Sequence, residues 1–260
     1  MNIGGLLQRF SVLPVLRDAG MCAEGMGLSA YAVGGLVRDL FLRRETLDVD
    51  VVIEGNGLAF ASRFAAGQGA RLTLYKRFKT AHLVLPGDVK VDVATARTET
   101  YDRPAALPVV RPGSIRDDLF RRDFSINTLA ACLNPGRFGD LFDPFGAMDD
   151  IRDGRIRVLH DGSFIDDPTR MFRAVRFEKR FDFRIEDATE ILIRDAVSAG
   201  LVGKLSGYRI ASELRLVLRE GNPPSIVRRL EELGVLSLVR KEGKRYREVT
   251  RLLRRIDEEK

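Results

Sequence analysis

The stretch from Ala32 to Ile53 constrains the fold more than any other part of the chain. Leu47-Asp48-Val49-Asp50-Val51-Val52-Ile53 is β-branched and is closed by Glu54-Gly55-Asn56-Gly57, so it reads as a strand. Side chains alternate along a strand, which places Asp48 and Asp50 on one face roughly 7 Å apart, at about 3.3 Å per residue, with Val49 and Val51 turned to the core. Two hard carboxylates at that spacing suit one or two Mg²⁺ ions, which bind a few protein carboxylates together with substrate phosphates. Just upstream, Gly34-Gly35 lets the backbone approach a phosphate closely, and residues 36–43 read as a helix whose first amides favour an anion. An isolated Asp-X-Asp is often a solvated strand face; the glycine pair beside it points to chemistry on a nucleoside triphosphate.

At 260 residues and 45% hydrophobic content, the chain can bury a sizeable core in two domains or in one with a helical extension. No apolar run approaches the roughly 20 residues that span a bilayer, and the N-terminus lacks a signal pattern, so the expectation is no membrane contact and a cytoplasmic location. Cys22, Cys132, His82 and His160 stand alone and suggest neither a disulfide framework nor a zinc site. Residues 201–260 hold 15 Lys or Arg against 9 Asp or Glu, which accounts for the whole net charge of +6. An asymmetry of this kind marks either a phosphate-backbone surface or a solvated helical face.

The expected fold is α+β: a mixed α/β head with a small mixed sheet, followed by an all-helical region. The expected divisions are a helical segment over 1–27, the head over 28–150 and the helical domain over 151–260. Strands are predicted at 30–33, 47–53, 72–75, 81–85 and 89–94, with a helix at 58–66, and Pro86-Gly87-Asp88 turns the last two strands into a hairpin. On its second strand Asp92 lies opposite in direction to Val91 and Val93, a third carboxylate able to join Asp48 and Asp50 in holding metal or activating a hydroxyl. Residues 95–116, with Pro104, Pro108 and Pro112, read as a long loop. Residues 117–133 resemble a helix with Phe120, Phe124, Leu129 and Leu133 as its apolar stripe and Arg121-Arg122 as a clamp for a triphosphate. From Asp167 onward the pattern is helical throughout, with helices expected at 168–181, 185–199, 207–219, 223–233 and 245–259.

Together these motifs resemble the head and neck of class II tRNA nucleotidyltransferases and bacterial poly(A) polymerases, members of the DNA polymerase beta nucleotidyltransferase superfamily. The pieces are Gly34-Gly35-Leu36-Val37-Arg38-Asp39 with Asp48-Val49-Asp50; Arg121-Arg122-Asp123-Phe124-Ser125-Ile126-Asn127; Leu141-Phe142-Asp143-Pro144-Phe145-Gly146 with Ile156-Arg157; and Asp166-Asp167-Pro168-Thr169-Arg170 leading to Arg173 and Arg176. The resemblance implies that Asp48, Asp50 and Asp92 are catalytic and bind two Mg²⁺ ions. It implies that Gly34, Gly35, Arg38, Arg121 or Arg122, with Asp123 and Asn127 of the same motif, serve the nucleotide. Asp167 and Arg170 would read the base edge, supported by Arg173 and Arg176. Arg209, Arg245 and Arg251 are the candidate RNA contacts in the basic region.

One departure concerns the neck, where Leu205-Ser206-Gly207-Tyr208-Arg209-Ile210 lacks the common acidic residue before its arginine. That form, with Asp-Pro-Thr-Arg, looks more like the branch that adds only A to tRNA. The resemblance therefore implies transfer of AMP from ATP to the 3′-hydroxyl of a tRNA ending in CC, with release of pyrophosphate. CCA or CC addition using CTP, and poly(A) synthesis, share the same head and stay open. A silent RNA-binding module would not need three carboxylates, and a nucleotidyltransferase for a small molecule or protein would not need the base-reading helix. Family members carry more helical body, or extra N-terminal domains, so this length reads as a shortened form or fragment.

Overall fold

The computed structural model describes all residues except 45, 242–245, 259 and 260. The chain forms two compact units, one of Met1–Thr100 with Val110–Ile151 and the other of Tyr101–Val109 with Arg152–Lys260.

The first unit opens with α1 (Gly4–Leu7) and α2 (Leu13–Glu24), then β1 (Ser29–Val33), α3 (Gly35–Phe41), β2 (Asp48–Glu54), α4 (Gly57–Gln68), β3 (Arg71–Tyr75), β4 (Thr80–Val84) and β5 (Lys90–Thr95). It continues with β6 (Arg97–Thr100), β7 (Val109–Pro112), α5 (Ile115–Phe120), β8 (Ala130–Cys132), β9 (Leu141–Phe142) and α6 (Ala147–Arg152). Seven strands make one sheet in the order β3-β4-β5-β2-β1-β8-β9, in which β2 and β5 are parallel and the other pairings antiparallel. The register sets Asp50 beside Asp92, and the hairpin sets His82 beside Asp92.

One face of the sheet packs against α2 and α4, with Val49, Val51 and Ile53 buried beneath them. Gly20 permits that approach, because a Cβ there would stand 1.8 Å from the Leu133 carbonyl oxygen. The other face carries Asp48, Asp50, Val52 and Glu54 in succession. There α5 covers only the far end, where Ile115 and Leu119 pack with Tyr31, Val33 and Val52, and the Ile115 amide donates to Glu54 Oε1 at 2.7 Å. The carboxylate end is left for the site.

Residues 117–133 are not one helix. A capping box between Ser114 and Asp117 starts α5, which ends at Phe120. Asp123 Oδ1 then accepts from the Phe124 amide and from Asn127, and Thr128 Oγ1 donates to the Ser125 carbonyl, so short polar side chains compete successfully with helix hydrogen bonds. The chain passes through one 3₁₀ turn into β8, which pairs with β1. Phe124, Leu129 and Leu133 become fully buried, while Phe120 stays 45% exposed, so they share no helical stripe. The expected loop over 95–116 also contains structure, since β6 and β7 pair in a sheet of two strands.

The second unit contains β10 (Arg155–Ile156), α7 (Ser163–Asp166), α8 (Arg170–Phe181), β11 (Arg184–Ile185), α9 (Asp187–Ser198), α10 (Gly207–Val217), α11 (Pro223–Glu232), α12 (Ser237–Lys241) and α13 (Arg247–Glu258). Helices α8, α9, α10, α11 and α13 start within about two residues of the expected positions, whereas the short α7 and α12 were not expected as separate helices, and the region is not purely helical: β10 and β11 pair in parallel beside the ends of α8 and α9. Met171, Phe172, Ala174 and Val175 make α8 the buried centre, against which α10 and α11 pack. Among the described residues no helix is long and apolar enough to cross a membrane.

Candidate active site

Gly34 ends β1 with φ 63° and ψ −122°, a conformation open to glycine, and its carbonyl begins α3. A Cβ on Gly34 would lie 2.6 Å from Arg122 Nη1, so the guanidinium rests directly on this turn. Arg122 donates to Asp118 Oδ2 at 3.0 Å, while its buried Nε has no hydrogen-bond partner among the described residues. A donor left over in such a place is capacity for an anion.

Asp50 sits between like charges. Burial first, then Asp92 and Asp48, push its carboxyl up to about 6, against the opposing pull of Arg122 and Arg38. A site that resists its own negative charge in this way favours cation binding. The donors are hard oxygens and fit Mg²⁺, although among the described residues no group of three or more His, Cys, Asp or Glu stands close enough to hold an ion by itself. Asp92 accounts for part of this, because its Oδ1 lies 2.8 Å from His82 Nδ1.

The remaining nucleotide candidates of this unit form a supporting chain. Arg38 is buried, donates through Nε to Asp39 at 2.8 Å and through Nη1 to Asn127, and Asn127 in turn donates to Asp123 at 2.8 Å. Gly35 opens α3 beside the Arg38 guanidinium. Arg121 differs from its neighbour: its fork is spent on Asp118 Oδ1, at 3.0 and 2.6 Å, and on Glu99 at 3.0 Å. Asp118 is fully buried, and although burial pushes its carboxyl up, Arg122 and Arg121 hold it below the ordinary carboxylate range. Sequence reasoning passed over Asp118, yet its i+3 and i+4 spacing to the two arginines was a usable signal.

In the second unit Asp167 Oδ1 accepts three hydrogen bonds, from the Thr169 amide at 2.9 Å, Thr169 Oγ1 at 2.6 Å and Arg209 Nη2 at 2.7 Å. Arg170 is buried and donates to Ser163 Oγ at 2.7 Å. Arg173 lies over the Phe177 ring, 5.3 Å from its centre. Arg176 also lies on that ring and reaches Glu220 at 3.3 Å, where Arg180 binds as well, so it is engaged in bracing α8. Arg209 is not directed to solvent as an RNA contact: besides Asp167 it donates to the Ala105 carbonyl at 2.9 Å. Arg251 is exposed on α13, and Arg245 lies outside the described residues.

Residues 30–157 match the Poly A polymerase head domain, and residues 182–245 match the probable RNA and SrmB-binding site of polymerase A. An A-adding tRNA nucleotidyltransferase of Geobacter sulfurreducens is 48% identical over 86% of this chain and 26% of its own length. The chain belongs to the family of tRNA nucleotidyltransferases and bacterial poly(A) polymerases. A second A-adding tRNA nucleotidyltransferase, from Halalkalibacterium halodurans, is 41% identical over 86% of this chain and 53% of its own length. Among solved structures, the Thermotoga maritima CCA-adding enzyme complexed with tRNA superposes with a TM-score of 0.82 at 41% identity, covering 91% of this chain and 55% of that one. As a nucleotidyltransferase-family chain it thus spans about a quarter to a half of the length of these relatives.

Proposed function

We propose that this chain transfers AMP from ATP to the 3′-hydroxyl of a tRNA ending in CC. In that reaction the 3′-oxygen bonds to the α-phosphorus, the bond from that phosphorus to the pyrophosphate oxygen breaks, and the hydroxyl proton is lost. The observation that carries the reading is Asp50, half-buried beside Asp92 and Asp48 and facing Arg122 over the Gly34 turn. Asp48 and Asp50, with Asp92, are the residues that would hold Mg²⁺. When bound, that ion supplies Lewis-acid neutralisation of the phosphate charge. The Gly34 turn and Arg122 bind the triphosphate, and Arg38, Asn127 and Asp123 keep that surface rigid. Arg121, through Asp118, fixes Arg122 rather than touching the nucleotide. Asp92 is assigned to the attacking hydroxyl.

Asp167 and Arg170 read the base without a nucleic-acid template. A carboxylate accepts from an exocyclic amino group, and a guanidinium donates to the neighbouring ring nitrogen. The A-adding relatives, at 41–48% identity, favour ATP. A second reading, CCA addition, is favoured by a CCA-adding neighbour solved with ATP and with CTP at 40–41% identity. A cytoplasmic setting suits both.

Extension of tRNA transcripts ending before CCA, at C and at CC, with Mg²⁺ and either ATP or CTP, tests the assignment. A single A added to the CC-ending transcript is expected. Incorporation from CTP would replace this reading by CC or CCA addition, and a long A tract by poly(A) synthesis. Undiminished extension by Asp48→Ala would remove the catalytic assignment altogether.

A further inference from the structure

The base-reading pair has a common anchor. Ser163 opens α7, its side chain is fully buried, and its two oxygens serve the two members of the pair. The backbone carbonyl accepts from the Asp167 amide at 3.2 Å, and the hydroxyl accepts from Arg170 Nη1 at 2.7 Å. On Asp167 all three side-chain hydrogen bonds fall on Oδ1, which leaves Oδ2 as the oxygen able to accept from a base.

Chemistry alone cannot make such a pair choose between ATP and CTP. Adenine and cytosine both present an amino donor next to a ring-nitrogen acceptor, so one carboxylate and one guanidinium satisfy either. Guanine and uracil present the reverse order and are refused. What differs between A and C is position: the purine edge lies farther from the ribose. Whatever fixes the pair in space therefore sets the choice, and a hydrogen bond to a buried guanidinium has the strength to do so.

We propose that Ser163 is the positioning residue for nucleotide preference, holding Arg170 by its hydroxyl and Asp167 by its carbonyl at the setting that admits ATP over CTP. This rests on the reading of Asp167 and Arg170 as the base-recognition pair. Ser163→Ala removes the acceptor, whereas Ser163→Cys nearly keeps the volume and replaces the oxygen with a weak acceptor. Both keep the backbone carbonyl bond.

The test measures Kd for ATP, CTP and inorganic tripolyphosphate by calorimetry on the parent, the two Ser163 variants and Arg170→Lys, with melting curves for each. The expected result is that both Ser163 variants lose about tenfold of the preference for ATP over CTP, while tripolyphosphate binds as in the parent. A packing role would instead spare Ser163→Cys. If Arg170→Lys abolishes the preference but both Ser163 variants stay within twofold of the parent, the role of Ser163 is overturned and the base-reading pair stands. If Arg170→Lys leaves the preference intact, or the parent shows none, the pair itself fails and the inference falls with it.

Discussion

Asp50 shows at a single residue how a candidate metal-binding carboxylate opposes the stability of the fold that holds it. Its carboxyl is pushed up to about 6 in the folded chain from 3.8 for an ordinary aspartate, chiefly by desolvation. The folded state therefore binds more protons than the unfolded state between those values, and stability falls as pH rises from about 4 to about 6. In metal-free protein, Asp50→Asn is expected to raise stability by about 1–3 kcal/mol at pH 8 and to lose that advantage near pH 4. Thermal melts across that range in chelator check it, and a variant no more stable than the parent at pH 8 would count against a desolvated charge. Gly34→Ala acts through the backbone. Its φ of 63° and the 2.6 Å approach to Arg122 predict a cost of about 1–3 kcal/mol and a loss of ATP affinity from a displaced guanidinium, readable by melting and calorimetry. The shared strand face of Asp48 and Asp50, and the side of its own strand that Asp92 takes, were legible because strand alternation needs only the local sequence, while the pairing of β2 with β5 sets Asp92 beside Asp50. His82 was read as an isolated residue, yet reflection about Gly87 in the Pro86-Gly87-Asp88 turn pairs it with Asp92. Ser163 could not be found that way, since its contact with Arg170 depends on the bend between α7 and α8.

At the scale of the element, α5 is a short helix whose value lies in what its end presents. Its start is secured by the capping box, in which Asp117 Oδ2 accepts from the Ser114 amide at 2.8 Å. Its third turn never forms, and the two arginines after it point to different tasks because Asp118, one turn earlier, divides its oxygens between them. Ser114→Ala is expected to cost about 1 kcal/mol with nucleotide binding retained. Asp118→Ala removes the buried carboxylate shared by two half-buried arginines, of which Arg121 keeps Glu99, and is expected to cost about 3–5 kcal/mol and to weaken tripolyphosphate binding along with ATP. Equal effects of the two variants on tripolyphosphate would mean that α5 only stabilises the fold. The sequence reading of 117–133 as one helix failed for the same physical reason: Asp123, Ser125, Asn127 and Thr128 offer the backbone local partners, and the open edge of β1 offers a strand pairing. Neither competitor appears in a helical periodicity. The later helices were legible because α8, α10, α11 and α13 are amphipathic and meet caps such as Ser206 and Asn222.

For the whole molecule, charge distribution is the property that composition reveals and fold organises. The excess of basic residues over 201–260 equals the net charge of the chain, and four of the arginines in that region lie on α13. Arg247, Arg251 and Arg254 follow i, i+4, i+7 spacing and are exposed, while Val249, Leu253 and Ile256 are buried on the opposite side. Amphipathicity alone would be satisfied by any polar residues on the outer face. A row of arginines spaced by single helical turns matches the repeat of a phosphate backbone, and each phosphate contact releases counterions. Replacing the three by glutamine is therefore expected to weaken tRNA binding about equally for transcripts ending in C and in CC, and to lower the slope of log K against log salt by about 2–3. ATP affinity should be unchanged, since the triphosphate is assigned to Arg122 and the Gly34 turn. Filter binding across a salt series decides between the two uses of the row: an unchanged slope would make it a solvated face, whereas a reduced slope with intact ATP binding would place the RNA backbone on α13.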